Sequence, residues 1–328
     1  MRQFARPSVV VSRCIEFDHC RWNGDLIPSD LVRQLKPHVD FAPVCPETDI
    51  GLGIPRKPLR LVRSGGDVRL LQPDTGRDVT DEMRRFCAAF LSKLVVADGA
   101  IVKGRSPTSA LKDAVVYVSA DRGAGKIGVS PGLFGAMLVQ AMPHGALEDE
   151  GRLRNPRIKA HFLTKLFLLA EFRTVRGASS ALALHEFQVR NELLFRTYGR
   201  QQSALLSQIA AESVRGSLGE VLDRYEQGLH SLFARAPRCG AHADTLTDAF
   251  ERVSGRLGKE EVAYFRDTVQ KYRDEVLPLS VPLAIVRTWI VRFKDTHLAN
   301  QSYFQPYPDD LVDLSLMTAH CDGKDYWS

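Results

Sequence analysis

The chain contains 328 residues, of which 44% are hydrophobic and 25% are charged, and its formal net charge is +5 at pH 7. These proportions are ordinary for a soluble globular protein, and the length is sufficient for two domains. No stretch is apolar for long enough to span a bilayer, and the N-terminus lacks a signal-peptide pattern. We therefore expect a cytoplasmic protein with no membrane partner. The mild positive charge permits an anionic partner such as nucleic acid but does not require one.

The first half alternates short apolar strands with helices. Strands are predicted at Ser8–Ser12, Val39–Val44 and Gly99–Val102, and Thr80 caps an amphipathic helix between the last two. The segment Ser64-Gly65-Gly66-Asp67 predicts the turn of a β-hairpin. This alternation favours an α/β domain with a mostly parallel, Rossmann-like sheet that is covered by helices.

The second half is helical in pattern, with apolar residues at intervals of three and four. The predicted helices cover 158–172, 180–198, 201–211, 218–234, 241–257, 259–275 and 279–293. We predict an α/β domain over 1–146 and an all-α domain over 158–314. The charged segment 147–157, which contains a glycine and a proline, is interpreted as a linker, and 315–328 as a tail.

Three segments place chemically active side chains directly after predicted strands. Cys14 follows the first strand, Cys45-Pro46-Glu47 follows the second, and Ser106-Pro107-Thr108-Ser109 follows the strand at 99–102. Because ligands of open α/β sheets bind at the carboxyl ends of the strands, these segments predict one site built from three loops.

The cysteines of this site have a chemical and a structural interpretation. In a reducing compartment a disulfide framework is unusual for a chain of this length, so metal, cluster and nucleophile roles compete with core packing. Thiolates near arginines bind soft metals and iron–sulfur clusters. The alternative is that Cys14 and Cys45 are small core residues, since no Cys-x-x-Cys pair is present. A zinc site with His19 and Cys20 is a minor alternative, because the spacing fits no common zinc pattern. Cys87, on the apolar face of a predicted helix, is interpreted as core.

The other candidates are a carboxylate, a hydroxyl and three arginines. Glu47 is a candidate general acid or base, with a simple surface ion pair as the alternative. Ser106 precedes a proline, and its hydroxyl either binds substrate or caps the turn. Arg13, Arg21 and Arg56 are candidates for binding a phosphate or a base edge, with solvated surface arginines as the alternative.

These residues resemble the motifs of a known family. The first half is similar to DUF523, the domain of the thiouracil desulfidases, whose pattern is S-x-C, R-[YW]-[DN]-G, C-P-E, G-L-x-x-P-R and S-P-S-C-G. The corresponding segments here are Ser12-Arg13-Cys14, Arg21-Trp22-Asn23-Gly24, Cys45-Pro46-Glu47, Gly51-Leu52-Gly53-Ile54-Pro55-Arg56 and Ser106-Pro107-Thr108-Ser109-Ala110. The second half resembles the helical domain DUF1722, most clearly from His185 to Pro308. The fused arrangement looks like that of the tRNA 4-thiouridine desulfidases.

The resemblance implies an enzyme that converts 4-thiouridine in tRNA to uridine. It implies a [4Fe–4S] cluster on three cysteines, with one open iron for the thiocarbonyl sulfur, a soft ligand that suits a soft metal. On this basis Cys14 and Cys45 are cluster ligands, Glu47 is the catalytic acid or base, and Ser106 positions the thiolated base.

Ser109 departs from the family, which has cysteine at this position. A serine hydroxyl is a poor iron ligand, so we expect the cluster to be absent or unstable unless another ligand is supplied. Three explanations are open. The favoured one is a deliberate cysteine-to-serine change, the second is a natural homologue without catalysis, and the third is that Cys20 replaces the missing ligand.

We expect the helical half to bind the tRNA partner. Arg190, Arg196, Arg287 and Arg292 are the candidate phosphate contacts, and the aromatic residues Tyr198, Trp289, Tyr303 and Phe304 either stack on bases or pack in the core. Two competing hypotheses are an RNA-binding or sensing protein without a cluster, and a desulfidase of free thiolated bases. The oligomeric state is not predicted.

Overall fold

The computed structural model of the chain describes residues 2–214 and 216–312. It divides into an N-terminal unit, Ala5–Ala170, and a helical unit made of Met1–Phe4 and Glu171–Ser328. The predicted tail, 315–328, lies outside the described residues, as does Cys321. Among the described residues, no helix is both long and apolar enough to cross a membrane.

All strands belong to the N-terminal unit and form two sheets in the described part of the chain. They are β1 (Ser8–Ser12), β2 (Asp40–Val44), β3 (Arg60–Ser64), β4 (Asp67–Gln72), β5 (Arg77–Asp78), β6 (Gly99–Val102), β7 (Ala114–Tyr117), β8 (Lys126–Ser130) and β9 (Ala146–Asp149). The first sheet has the order β2-β1-β6-β9, and every pair in it is parallel. The predicted parallel sheet is therefore confirmed.

The first sheet is covered because its central strands are apolar throughout. Val9, Val10 and Val11 of β1 are fully buried, and all four residues of β6 are buried. Such continuous apolar strands are typical of parallel sheets with both faces covered. Most of the fourth strand, β9, falls in the segment 147–157 that was predicted to be a linker, and Ala146–Asp149 pairs in register with Gly99–Val102.

The second sheet is mixed and has the order β5-β4-β3-β7-β8. Its β3–β4 hairpin confirms the predicted turn, with Ser64 opposite Asp67 in an antiparallel register. Strand β7 pairs in parallel with β3 and antiparallel with β8. Strand β8 was not predicted.

Four helices complete the sheets of the N-terminal unit: α1 (Asp30–Leu35), α2 (Pro46–Asp49), α3 (Thr80–Lys93) and α4 (Leu133–Ala141). Helices α3 and α4 pack on the sheets through a core that includes Met83, Cys87, Phe134 and Leu138, all fully buried. The core interpretation of Cys87 is therefore correct, and burial raises the pKa of its thiol to about 12.

The helical unit confirms the all-α prediction. Its helices, together with the one that contains the boundary between the units, are α5 (Pro156–Ala178), α6 (Ala181–Arg190), α7 (Glu192–Tyr198), α8 (Arg200–Glu212), α9 (Leu218–Leu232), α10 (Cys239–Ser254), α11 (Lys259–Arg273), α12 (Ser280–Phe293) and α13 (Thr296–Ala299). The prediction of a single helix over 180–198 was wrong, because the helix is interrupted at Asn191, between α6 and α7.

Buried amide side chains stabilise this break. Asn191 is fully buried, and its side chain donates to the Phe187 carbonyl and accepts from the Ser302 hydroxyl. Gln301 accepts from the Leu193 backbone N–H and donates to the Val189 carbonyl. These bonds satisfy backbone groups that a helix end otherwise leaves without partners. The segment from Gln301 to Phe304 therefore has a structural role in this unit.

Candidate functional site

A cavity of about 350 Å³ opens at the carboxyl ends of β1, β2 and β6. The three predicted loops meet there, as expected for an open parallel sheet. The lining includes Cys14, Cys20, Trp22, Cys45, Glu47, Arg56, Arg105, Ser106 and Ser109. The structure thus brings the candidate ligands, acid–base group and hydroxyl of the sequence prediction together around one space.

Three buried thiols share this cavity. Cys14 follows β1, Cys45 follows β2, and Cys20 lies on the loop between these strands. A hydrogen bond to Cys14 and burial raise the pKa of the Cys20 thiol to about 11, and its contact with Cys45 acts in the opposite direction. The hydrogen bond to Cys20, together with burial, also raises the pKa of the Cys45 thiol. The sulfurs of Cys14 and Cys45 therefore both contact Cys20.

The donor chemistry of this group fits an iron–sulfur cluster. Three thiols line one cavity, and thiolates are the usual ligands of such clusters. Among residues 2–214 and 216–312, no three His, Cys, Asp or Glu side chains are arranged to hold a metal ion. His19 is exposed and contacts the Gly24 carbonyl at 3.3 Å, so the zinc alternative with His19 was wrong. A cluster differs from a single ion, because its thiolate ligands bind different irons and do not need to surround one point.

Ser109 lies at the edge of this group. The residue lines the cavity and is 7% exposed, and its backbone N–H donates to the Ser106 hydroxyl at 3.1 Å. The position that is cysteine in the resembled family thus faces the cavity here, but it contributes an alcohol where the family contributes a thiol.

Glu47 is fixed in place by two side chains. Arg56 donates to one carboxylate oxygen from Nε at 2.8 Å and from Nη2 at 2.6 Å. Thr108 donates to the other oxygen at 2.8 Å. Arg56 also donates to the backbone carbonyl of Cys20 at 3.0 Å. One guanidinium therefore holds both the Glu47 carboxylate and the backbone of Cys20. A carboxylate has about four acceptor positions, so one remains for a water or a substrate proton.

The loop from Ser106 to Ala110 is held by the start of α4. The backbone N–H groups of Phe134 and Gly135 donate to the Thr108 carbonyl, at 2.9 and 3.1 Å. A Cβ on Gly135 would lie 2.0 Å from the Ala110 carbonyl oxygen, and a Cβ on Gly132 would lie 2.5 Å from that of Thr108. Only glycine permits this approach, so both glycines contribute to the position of the site loop.

The Ser106 hydroxyl caps its own loop. It accepts from the backbone N–H groups of Thr108 and Ser109, at 3.2 and 3.1 Å. These two bonds use the oxygen as an acceptor and leave its proton for donation. The two interpretations of Ser106 are therefore compatible, since a turn-capping hydroxyl still has a proton to offer a ligand in the cavity.

The predicted arginines of the site are mostly neutralised. Arg13 donates to both oxygens of Asp49 at 2.8 Å, and Arg56 is paired with Glu47. Arg21 has a weaker contact with Asp25 at 3.8 Å. The side chains of Arg13 and Arg56 are therefore held by carboxylates of the protein, and their first role is to order the loops.

The arginines predicted to bind tRNA lie in the helical unit, and each has a carboxylate partner. The pairs are Arg190 with Glu171, Arg196 with Asp248, Arg287 with Asp309 and Arg292 with Glu261, at 2.7 to 3.3 Å. Trp289, Tyr303 and Phe304 are buried, so they pack in the core. Tyr198, the fourth predicted aromatic residue, is half-buried and packs against Phe233, with ring centroids 4.1 Å apart. In the described structure the four arginines are thus already paired, and three of the four aromatic residues are core.

Several residues of the site were not predicted from the sequence. Thr108 binds Glu47, Gly132 and Gly135 receive the loop, and Arg105 lies at the cavity. Thr108 and Arg105 flank predicted residues, so their place in the same loop was an available signal. The glycines carry no such signal, because their importance depends on a close approach that only the folded chain shows.

Comparison with known proteins gives matches to both halves. Residues 9–150 match the family model of 2-thiouracil desulfurase, and residues 192–308 match DUF1722, a family of unknown function. The uncharacterized protein YbbK of Bacillus subtilis (strain 168) is 29% identical over 107 residues, which is 30% of this chain and 71% of YbbK. A solved structure of a [4Fe–4S]-dependent thiouracil desulfidase, TudS, is 23% identical with a TM-score of 0.36. It covers 45% of this chain and 94% of that one.

Proposed function

Because residues 9–150 match the 2-thiouracil desulfurase family and residues 192–308 match DUF1722, we propose that this chain is a [4Fe–4S]-dependent tRNA desulfidase. Its reaction replaces the sulfur of 4-thiouridine with the oxygen of water, giving uridine and hydrogen sulfide without any change of oxidation state. One observation carries the proposal: three thiols and a fixed carboxylate meet in one cavity at the carboxyl ends of a parallel sheet.

The residues that would hold the cluster are Cys14, Cys45 and Cys20. Cys20 takes the place of Ser109, because it is a thiol, lines the cavity and contacts both other thiols. When bound, the cluster supplies a Lewis-acidic iron for the thiocarbonyl sulfur. Of the three explanations of Ser109, the proposal therefore adopts the third in place of the deliberate change. The loop also differs from the family pattern at Thr108 and Ala110, so Ser109 is not an isolated departure.

Glu47 is the proton-transfer residue in this proposal. Its carboxylate, oriented by Arg56 and Thr108, accepts a proton from the water whose oxygen adds to the thiocarbonyl carbon. The Ser106 hydroxyl donates a hydrogen bond to the base and so fixes the orientation of the ring. Arg56 and Thr108, which donate hydrogen bonds to the Glu47 carboxylate, belong to different loops. Both loops must therefore be in place for Glu47 to act.

Three observations support RNA as the form of the substrate. The motif order over both halves resembles that of the tRNA 4-thiouridine desulfidases, and the chain is positively charged. Trp22 lines the cavity and is 46% exposed, and proteins commonly stack unpaired RNA bases on exposed aromatic rings.

The test of the cofactor is reconstitution with iron and sulfide under anaerobic conditions. The variants are Cys20→Ser and Ser109→Ala, with Cys87→Ala as a control for removing a thiol outside the site. We expect the parent chain and Ser109→Ala to bind about four irons per chain, whereas Cys20→Ser loses most of this iron. Equal loading of Cys20→Ser and the parent would contradict the role of Cys20. Electron paramagnetic resonance of the reduced samples distinguishes a cluster from adventitious iron.

The test of the activity measures 4-thiouridine remaining in bulk tRNA, with free 4-thiouracil and 2-thiouracil as comparison substrates. The parent and a Ser109→Cys variant are assayed after the same reconstitution. Loss of 4-thiouridine from tRNA with both proteins is the expected result. Activity on the free bases alone would replace the proposal with the free-base desulfidase. Tight tRNA binding without iron or activity would favour the RNA-binding alternative.

A further inference from the structure

The chain leaves β6 through Lys103–Arg105, the entry segment, which leads directly into Ser106. The pairing of β6 with β1 ends at Ile101 and its pairing with β9 ends at Val102, so the entry segment lies beyond the paired strands. Backbone N–H groups in such a place need other acceptors. Here each is bound by a different side chain: Lys103 donates to the Ser12 hydroxyl at 2.9 Å, Gly104 to the Glu150 carboxylate at 2.7 Å, and Arg105 to the Asp113 carboxylate at 2.9 Å.

These three acceptors come from different parts of the N-terminal unit. Ser12 is the last residue of β1 and is 5% exposed, Glu150 directly follows β9, and Asp113 directly precedes β7. The Glu150 carboxylate also pairs with the Lys103 ammonium at 2.6 Å, and its side chain is 11% exposed. Hydrogen bonds to ionised acceptors are stronger than those between neutral groups. The entry segment is therefore tied at once to β1, to the end of β9 and to the start of β7.

The backbone of the entry segment is held in an unfavourable conformation. Arg105 has a φ angle of +60°, in the left-handed region that residues with a side chain rarely adopt. Its neighbour Gly104 is buried, and a Cβ at that position would lie 3.1 Å from the Asp149 carboxylate. Such conformations persist where the surrounding structure imposes them, and they are concentrated at functional sites. We expect that loss of the Asp113 bond lets Arg105 relax and redirects the residue that follows, Ser106.

On its other side, Ser106 is held by the turn that it caps. Its hydroxyl accepts from the Thr108 and Ser109 backbone N–H groups, and its backbone carbonyl accepts from the Ala110 N–H at 3.1 Å. This turn is bound to the start of α4 through the Thr108 carbonyl. Ser106 therefore lies between two fixed points, the start of α4 and the entry segment. A shift of the entry segment would move the Ser106 hydroxyl relative to the cavity that it lines.

We propose that Asp113 and Glu150 are positioning residues for Ser106. By holding the entry segment, they set the point from which the Ser106 hydroxyl donates to the thiolated base. Neither carboxylate is among the residues that line the cavity, so their effect passes through Ser106 and not through contact with a ligand. This inference rests on the proposed function, in which Ser106 orients the base.

The first test measures hydrogen exchange of the Arg105 backbone amide in the full-length chain, by mass spectrometry with fragmentation to single residues. The parent is expected to exchange slowly at this amide. Asp113→Ala removes the acceptor and is expected to speed the exchange about tenfold or more. Asp113→Asn is expected to retain most of the protection, because the amide oxygen of asparagine still accepts the bond. An Arg105 amide that exchanges at the parent rate in Asp113→Ala overturns the proposal.

A matched control and a second position accompany this measurement. Asp78 also accepts a backbone N–H, from Thr80 at 2.9 Å, and it lies outside the cavity lining. Asp78→Ala is therefore expected to leave the exchange of the Arg105 amide unchanged. Glu150→Ala is scored at the Gly104 amide, where a similar acceleration is expected, so the result does not depend on the folding of one variant. Unchanged exchange at Gly104 overturns the role of Glu150.

The second test asks whether Asp113 acts through Ser106. After the same reconstitution, kcat/KM for the removal of sulfur from 4-thiouridine in tRNA is measured for the parent, Ser106→Ala, Asp113→Ala and the double variant. Each single change is expected to lower kcat/KM about tenfold, and Asp113→Asn is expected to restore most of the loss. The double variant is expected to lie within about twofold of Ser106→Ala, because the hydroxyl that Asp113 positions is already absent. A loss of about 100-fold in the double variant, as for independent effects, overturns the proposal.

The two tests separate this inference from the proposed function. If the parent does not remove sulfur from tRNA, the proposed function is refuted, and the same four proteins are compared by their affinity for 4-thiouridine, measured by quenching of tryptophan fluorescence. A non-additive loss of affinity then supports the positioning role, and an additive loss refutes it. If the parent is active but its losses are additive, or if the Arg105 amide does not respond to Asp113→Ala, the inference is refuted alone.

Discussion

The two units use arginine and aromatic residues in opposite ways. In the helical unit, the four arginines that sequence pattern marks as RNA contacts are each paired with a carboxylate, and three of the marked aromatic residues are core. At the cavity of the N-terminal unit, Arg105 lacks such a partner in the described structure, and Trp22 is half exposed. Residue type is the same in both units, so the presence or absence of a partner within the chain separates the side chains that are already paired from those that remain available.

The same contrast between binding and structural residues can be tested within the N-terminal unit, at two glutamate–arginine pairs that have different expected roles. Glu47 with Arg56 lies in the cavity, whereas Glu82 with Arg77 lies outside it, at 2.7 Å. We expect Glu47→Gln to lower kcat by roughly 100-fold or more, because an amide does not accept the proton. Glu82→Gln is expected to leave kcat within about twofold.

This first prediction is checked with reconstituted protein in the tRNA desulfuration assay, with iron content measured on the same samples. Equal iron content in the two variants shows that the lost rate of Glu47→Gln does not come from a lost cluster. An unchanged rate in Glu47→Gln would assign Glu47 the purely structural role that its ion pair also permits.

Glycine gives a contrast between the two units, with a smaller expected effect. A Cβ on Gly135 in α4 would meet the Ala110 carbonyl at 2.0 Å, whereas a Cβ on Gly219 in α9 has no neighbour within 4 Å. We expect Gly135→Ala to lower the free energy of unfolding by roughly 1–3 kcal/mol through overpacking. Gly219→Ala is expected to raise it by up to about 1 kcal/mol. Urea unfolding of both variants checks the opposite signs, and two stabilising changes would show that the site loop is free to move away from α4.

The fold and the centre of the site could be predicted from local patterns. The apolar run of β1 predicts a covered strand, and a thiol directly after it predicts a position at the carboxyl end of the sheet. Strand β9 was missed because Glu148 and Asp149 resemble a linker. In the structure Glu148 pairs with Arg152, and Asp149 accepts from the backbone N–H groups of Gly151 and Arg152, so the charges are satisfied locally.

The features that escaped prediction depend on partners distant in sequence. The helix break at Asn191 needs Ser302, and the neutralisation of Arg292 needs Glu261. Cys20 was predicted as a substitute ligand only because it follows Cys14 closely, and its contact with Cys45 is a property of the folded loops. A sequence pattern identifies which side chains are available for chemistry, whereas folding decides which of them have already been paired.

Each unit contains one buried histidine with a lowered pKa, and the expected effect of their titration is smaller still. His242 in the helical unit contacts the Tyr303 hydroxyl at 3.2 Å, and burial lowers its pKa to about 4. Burial, with a contribution from Lys165, lowers the pKa of His161 in the N-terminal unit to about 4 as well. A histidine whose pKa is lower in the folded state favours the unfolded state once it can be protonated. Stability is therefore complete above pH 6.5 and falls as the pH decreases from 6.5 towards 4.

Each of these histidines is expected to contribute roughly 1 kcal/mol of lost stability for each pH unit in that window. His242→Asn keeps a hydrogen-bonding group but removes the titration, so it should reduce the slope of unfolding free energy against pH by about half of the histidine contribution. Urea unfolding at several pH values between 6.5 and 5 measures the slope. An unchanged slope in this variant would mean that His242 is accessible to protons in the folded protein.

The smallest expected effect is on tRNA binding by the paired arginines. Arg292 donates to Glu261 at 2.9 Å on an exposed surface, so a phosphate could bind this guanidinium only after the existing pair is opened. We expect Arg292→Ala to change tRNA affinity by less than about twofold and to leave its salt dependence unchanged. Filter binding over a range of salt concentrations measures both, with Arg105→Ala in parallel. A loss of about tenfold with a shallower salt dependence in Arg292→Ala would show that RNA displaces Glu261, and the pairing seen in the free protein would then no longer separate the two units.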